Sequence, residues 1–440
     1  MLKSPISEED RNVFTYDTRL GRDQIRLLQM RPGAGEDTIK CSLSVTTLEE
    51  AKGGYNALSY CWGSPELAKQ IQCNDATLSV TTNLYDALWQ YRENDQDRPL
   101  WADAICINQN DLEEKTTQVQ KMMSIYQSSH QVIIWLGKKR GCDASGLRLL
   151  QKLGHAPQVI NFGGESGVEL DLSAAGLPDL FQDDWMSLLA LFARPWFYRV
   201  WTIQESIVNP NTLFRCGDTD IPFQTVMSSA KCLLFANVMS WVLVKMGFGL
   251  LEEWDPSAQL TRFPNVTQLL AMTHPQTGPR SNLLDLLMFA RQYEATDPRD
   301  KLFSLVGLAD DFPAEFVDYE LSLRDVLFNF ACGIVDATKR NDRYWPYSPT
   351  QLIAWAAMFR DQSSLLDIPT WIPNVASSDS IGMPCHYRYA PGYDCVLKSN
   401  VLGCGEWRVS SDQVSLASLF KCHVYIATPF TVLRLGYRLL

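Results

Sequence analysis

Trp201 and Glu205 stand four residues apart within residues 196–205 (WFYRVWTIQE), a spacing that puts an indole and a carboxylate on one face of a helix. A carboxylate beside an aromatic wall can stabilise a developing cation or hold paired sugar hydroxyls. Either role suits cleavage of a glycosidic bond through an oxocarbenium-like state. The structural alternative is a core Trp201 and a Glu205 paired with Arg199 or another cation, because structural ion pairs share such spacings with catalytic ones. Two other stretches set polar groups against short apolar runs: residues 55–63 (YNALSYCWG) and residues 100–137, which begin LWADAICINQND and end QVIIWLG. Asp103 interrupts an apolar run, and a buried carboxylate is costly unless paired or hydrogen-bonded. It either contacts a ligand or caps the following loop through backbone N–H groups. Tyr60 and Trp62, just before the turn residue Gly63, could stack on a flat ring or belong to a plain core. Asn108, Gln109, Asn110 and Asp111 are loop and cap residues in their own right.

The elements that would position these groups are legible in the hydrophobic pattern. Residues 25–30 and 39–45, joined by a Pro32-Gly33 turn, read as edge strands, and residues 55–60 as the first central strand. Residues 70–73 and 77–80 flank an Asn74-Asp75 turn. A helix over 82–92 follows, with Leu84, Ala87, Leu88 and Tyr91 on one face and Thr82 placed to cap it. The nearly continuous apolar run 100–107 suits a strand buried on both faces. Asp111 opens a helix to about residue 127, with Glu113 and Glu114 in the first turn, where the helix dipole favours acids. Residues 132–136 (VIIWL) form the next central strand, stopped by Gly137, and Pro195 starts the helix that carries residues 196–207. Strands alternating with helices in this order predict a parallel sheet with right-handed crossovers. Ligands gather outside the carboxyl ends of such strands, here residues 59–63, 103–108 and Gly137.

At 440 residues the chain exceeds what one hydrophobic core usually serves, so two domains are expected, with a change of character near residue 217. Residues 1–217 read as α/β and residues 218–440 as α-helix-rich, with apolar helical stretches at 226–250, 283–293 (capped by Ser281), 301–308 and 323–338. Residues 163–167 (GGESG) lack the Lys and Ser/Thr of a phosphate loop, and neither H-E-x-x-H nor G-x-S-x-G occurs. A net charge of -11 gives no electrostatic reason to bind nucleic acid. The polar opening, residues 1–11, is unlike a secretory signal, and the apolar run 232–244 is shorter than the roughly 20 residues needed to span a bilayer. Twelve cysteines without a C-x-x-C pair point to a reduced, cytoplasmic protein. Cys385, His386, Cys395, Cys404, Cys422 and His423 offer metal-type ligands but no standard zinc spacing, so no metal site is assigned.

The motifs taken together resemble the fungal heterokaryon incompatibility (HET) domain family. The matching residues are the whole of 55–63; Leu100-Trp101-Ala102-Asp103 with Cys106 to Gln109 and Asp111; Glu114-Lys115, Gln118-Val119 and Ile125-Tyr126; Val132 with Trp135-Leu136-Gly137; and Arg194-Pro195-Trp196-Phe197 with Arg199, Trp201, Gln204 and Glu205. The resemblance covers roughly residues 20–215. Residues 297–301 (DPRDK) and Asp318-Tyr319 look like the helical region that often follows this domain. Trp371-Ile372-Pro373-Asn374-Val375 stands where the family has a W-V-P-D-W type segment, and residues 424–440 match no known pattern.

Members of the family are implicated in self/non-self recognition and in cell death after fusion of incompatible fungal cells. They look remotely like Toll/interleukin-1-receptor (TIR) domains, some of which cleave NAD with a helix-borne glutamate in a W-x-x-x-E pattern, here residues 201–205. The resemblance implies a TIR-like (flavodoxin-like) parallel sheet flanked by helices, with extra N-terminal strands. Residues 55–60, 100–103 and 132–136 would be its first three strands. It further implies NAD as substrate, with no resident cofactor. Glu205 would stabilise the ribosyl cation, Tyr60, Trp62, Gly63 and Asp103 would shape the pocket, Trp201 would wall it, and Arg199 would meet a phosphate. The alternative is a non-catalytic signalling module that acts by self-association or by recruiting a protein partner. A third possibility puts an unrelated enzymatic or regulatory function in the α-rich half.

Overall fold

Residues 56–60 are buried along their whole length, as a strand must be when both its neighbours and both its faces are covered. This strand sits near the centre of a nine-stranded sheet in the computed structural model, which describes residues 13–64, 66–94, 98–155, 176–178, 183–235, 283–339, 372, 424–428 and 431–435. In chain order the elements are β1 (Gln24–Met30), β2 (Lys40–Thr47), α1 (Leu48–Ala51), β3 (Asn56–Tyr60), β4 (Lys69–Cys73), β5 (Ala76–Val80), α2 (Thr82–Asn94), β6 (Leu100–Trp101), α3 (Asp103–Cys106), α4 (Leu112–Gln120), α5 (Met122–Ser128) and β7 (Gln131–Gly137). They continue with α6 (Asp143–His155), α7 (Asp183–Phe192), a 3-10 turn (Pro195–Tyr198), α8 (Trp201–Ile207), β8 (Thr212–Cys216), β9 (Thr219–Pro222), α9 (Phe223–Phe235), α10 (Leu283–Ala290), α11 (Asp300–Val306) and α12 (Leu323–Lys339).

The sheet order is β5-β4-β2-β1-β6-β3-β7-β8-β9. Its middle is a parallel run, β6-β3-β7-β8, in which the strand that comes first in the chain, β3, lies between the second and the third. The direction of winding therefore reverses between β3 and β7. Such a switch point leaves a crevice at the carboxyl ends of the two strands. Here those ends are Tyr60, paired with Trp135, and the bulge that follows at Gly137, whose φ of +103° suits glycine.

Several sequence expectations change at this level. The first two strands are interior: β1 joins β2 to β6 through Leu28↔Leu100, and β5 is the edge. The hairpin of β4 and β5 does turn at Asn74 and Asp75, with φ of 51° and 63°, a left-handed pair that these two residue types tolerate. Residues 100–107 do not make one strand. After two residues of β6 the chain bends at Ala102 into α3, because a buried helical turn satisfies an apolar run as well as a strand does, and the Asp103 carboxyl accepts from its neighbour Ala104 N at 2.8 Å. Thr81, not Thr82, caps α2, with its hydroxyl accepting from Leu84 N. The helix opened by Asp111 breaks at Lys121, whose ammonium is drawn to the carbonyls of Arg22 and Gln24 at 2.7 and 2.9 Å. Residues 196–207 divide into the 3-10 turn and α8, separated at Arg199 and Val200.

The chain separates into two compact units, residues 1–381 and 382–440. In the second, Val424–Thr428 and Thr431–Leu435 pair as an antiparallel hairpin. The first runs on through residue 217, and its α-rich part is built onto the α/β part: Val200 N donates to Glu294 O at 2.9 Å and Tyr319 N to Thr116 Oγ1 at 3.1 Å. The Cys385 to His423 group, the 163–167 loop, most of the 226–250 stretch and Ser281 lie outside the described residues. No helix among the described residues is long and apolar enough to cross a membrane.

Candidate functional site at the sheet switch point

β3 delivers Ser59 and Tyr60 to the carboxyl end of the sheet. Ser59, in a strand otherwise committed to the core apart from Asn56 at its start, is fully buried. Its hydroxyl donates to Glu205 Oε2 at 2.5 Å and accepts from the Trp196 indole N–H at 2.8 Å. The 3-10 turn and α8 therefore close over β3 through one serine. Glu205 is 1% exposed. Burial pushes its carboxyl up from 4.5 to about 7, as does the Asp103 carboxylate, against the pull of the Arg199 guanidinium and the Ser59 hydrogen bond.

Arg199 occupies the break between the 3-10 turn and α8 and donates to Tyr60 O, which fixes it over the end of β3. It acts on the Glu205 carboxyl through its charge. Burial works against its charge, but the Glu205 and Asp103 carboxylates outweigh that effect and hold its proton more firmly. Asp103, at the start of α3, is raised by burial, with Arg199 and the Trp62 indole opposing. Trp62 N–H donates to Asp103 Oδ2 at 2.8 Å, while its ring is 37% exposed, so Trp62 is the solvent face of the cluster. The Tyr60 hydroxyl is buried, lies toward Asp103 and makes no hydrogen bond of normal geometry. Gly63, at φ +75°, turns the chain away from the strand end.

The structure thus gathers Glu205, Arg199, Asp103, Tyr60 and Trp62, with Gly63 as the turn beside them. Trp201 goes elsewhere. Although four residues from Glu205 on α8, its indole acts on the carboxyl of Asp300 in α11, which also accepts from the Tyr319 hydroxyl at 2.6 Å. Residues that the spacing did not single out complete the site: Ser59 and Trp196 contact the acid's network directly. Arg194, buried against Asp143, donates to Leu136 O at 2.5 Å and holds the end of β7. Ser59 was findable as a small polar side chain inside a mostly apolar strand, a signal like the one that marked Asp103. Chemically the cluster is two carboxyls around one guanidinium in a nearly water-free space. The Glu205 carboxyl, pushed up to about 7, can give or take a proton near neutral pH. Among the described residues no group of three or more His, Cys, Asp or Glu is placed to hold a metal ion.

A mixed α/β fold with a parallel core and a buried acid at its switch point is the class the structure defines, and the segment that carries the acid is similar to known proteins. Residues 55–205, from the start of the β3 segment to the acid itself, match the family model "Heterokaryon incompatibility protein (HET)". Over 413 residues the chain is 28% identical to Heterokaryon incompatibility protein 6, OR allele, of Neurospora crassa, an alignment that covers 82% of this chain and 59% of that protein. The chain spans about three fifths of the length of this curated relative. No solved structure matches it.

Proposed function

We propose that the protein is an effector of fungal heterokaryon incompatibility whose TIR-like sheet binds a nucleotide such as NAD and cleaves its glycosidic bond to nicotinamide. The observation that carries this reading is Glu205 at the switch point, buried, with its proton affinity raised to about 7. As nicotinamide leaves, the ionised Glu205 stabilises the ribosyl cation, Arg199 meets a phosphate, and water completes the hydrolysis. Asp103, tied to Trp62, and the Tyr60 hydroxyl beside it shape the sugar side of the pocket. Entry requires local opening of the site, since Glu205 is 1% exposed. Purified protein incubated with NAD is expected to release nicotinamide, measured chromatographically, and Glu205→Gln to lose that release. A folded Glu205→Gln protein that cleaves at an unchanged rate removes Glu205 from the mechanism.

The seal itself favours a second reading. An acid 1% exposed and satisfied by Ser59 is also what a non-catalytic module would contain, one that signals by self-association or by recruiting a partner. Concentration-dependent oligomers in light scattering without any NAD turnover would select that reading.

A further inference from the structure

On the far side of the sheet from β7, β4 joins β2 through a short parallel pairing whose register pairs are Lys40↔Gln72 and Cys41↔Cys73. Paired positions on neighbouring strands project to the same face. Strands lie roughly 4.7–4.9 Å apart in a sheet, inside the range of about 4.4–6.8 Å between Cα atoms that a disulfide spans. Cys41 and Cys73 are both buried, at 1% and 0% exposure, and both are free thiols in this structure. Cys41 Sγ donates to Gln72 O at 3.4 Å, and the closeness of the two thiols pushes Cys41 up and draws Cys73 down, so Cys73 is the readier thiolate. Cys73 is also the last residue of β4, beside the Asn74-Asp75 turn of the edge hairpin, where local opening costs least.

We propose that Cys41 and Cys73 form a redox modification site, closing an intramolecular disulfide when the protein meets a hydroperoxide and stapling β4 to β2. In the first step the Cys73 thiolate attacks one oxygen of hydrogen peroxide. The O–O bond breaks, a sulfenic acid forms, and the hydroxide that leaves takes up a proton as water. In the second the Cys41 thiol attacks the Cys73 sulfur, and its proton goes to the hydroxide that leaves, giving a second water. Two thiols are oxidised to one disulfide, and one peroxide is reduced to two waters. The closed loop, residues 41–73, contains β3, Ser59, Tyr60 and the Trp62 rim, so the bond tethers the segment that frames the switch point.

The test is oxidation of the purified chain with hydrogen peroxide, alkylation under denaturing conditions, and peptide mapping by mass spectrometry without reductant. A linked peptide pair containing Cys41 and Cys73, two hydrogens lighter than its parts and released by dithiothreitol, is the expected result. It should persist in Cys106→Ser, whose thiol is the nearby competitor. Cys142, which is exposed, reports that the oxidant has acted. Full oxidation of Cys142 with Cys41 and Cys73 still alkylated, or a link from either of them to Cys106, would overturn the proposal.

Discussion

Replacing Glu205 by glutamine is expected to stabilise the protein at neutral and alkaline pH, even though it removes a buried hydrogen-bonded acid. A carboxyl whose ordinary value is 4.5 and whose folded value is about 7 disfavours the ionised folded chain by about 3 kcal/mol. The sign follows from proton binding. Between those two values the folded chain holds more protons than the unfolded one, so stability contributed by the neutral acid is full below 4.5 and is lost as pH rises to about 7. Glutamine keeps an oxygen for the Ser59 hydroxyl and never ionises, so it escapes the loss. Its new N–H groups lack assigned acceptors, which removes about 1 kcal/mol of the gain. The net expectation is about 2 kcal/mol in favour of Glu205→Gln at roughly pH 8, shrinking to nothing or reversing near pH 4.5. Urea denaturation at the two pH values measures it, as a midpoint that moves without a change in slope. A variant that is less stable than the parent at pH 8, or a difference that does not vary with pH, refutes the burial argument. The same variant distinguishes stability from function, because a site that holds an acid against its own preference gives up stability for chemistry.

Two other outcomes follow from the same geometry. Ser59→Ala should cost about 1–3 kcal/mol, because it strips partners from both Glu205 and the Trp196 indole, and should lift the Glu205 pKa further. Carboxyl carbon shifts followed through a pH titration by NMR give the second quantity directly. Arg26→Ala should cost about 3–5 kcal/mol in urea denaturation, because it leaves the buried Glu114, which also accepts from Leu20 N and Asn108 N, as an uncompensated charge.

What the sequence made legible was the parallel core. Residues 56–60 and 131–137 are apolar, short and bounded by turn residues, so length and composition alone mark them as central strands. Asp111 as a helix cap was readable too, and its carboxylate accepts from Glu114 N at 3.1 Å. Residues 100–107 were not, because a buried helical turn and a buried strand present the same apolar run, and only the packing of α3 beside β1 decides between them. The burial of β1 and β2 was hidden for a similar reason. An alternating strand looks alike at the edge and in the interior, and its neighbour β6 lies about 70 residues further along the chain. At the site, the i, i+4 spacing correctly put Trp201 and Glu205 on one helix but could not say what each would meet. Trp201 found Asp300 and Glu205 found Ser59, partners fixed by the tertiary fold and not by local spacing.

That division of partners along α8 has a mechanical consequence. The helix is seven residues long, too short to hold itself in place, and its side chains are buried almost throughout. Its N-terminal end is held from the α-rich part: Val200 N on Glu294 O and Trp201 against Asp300, which is itself held by Tyr319. Midway, the Gln204 amide, oriented to satisfy both partners, donates to Ser304 O at 3.1 Å and accepts from Met123 N at 2.9 Å, joining α11 to α5. Gly307 leaves room for that amide, since a Cβ there would lie 2.4 Å from it. In its last turn α8 hydrogen-bonds the sheet through Glu205 and Ser59. The acid is therefore aimed at the switch point by residues on both sides of position 217, and a shift of α11 or of the Tyr319 segment moves Glu205 as directly as a shift of β3 does.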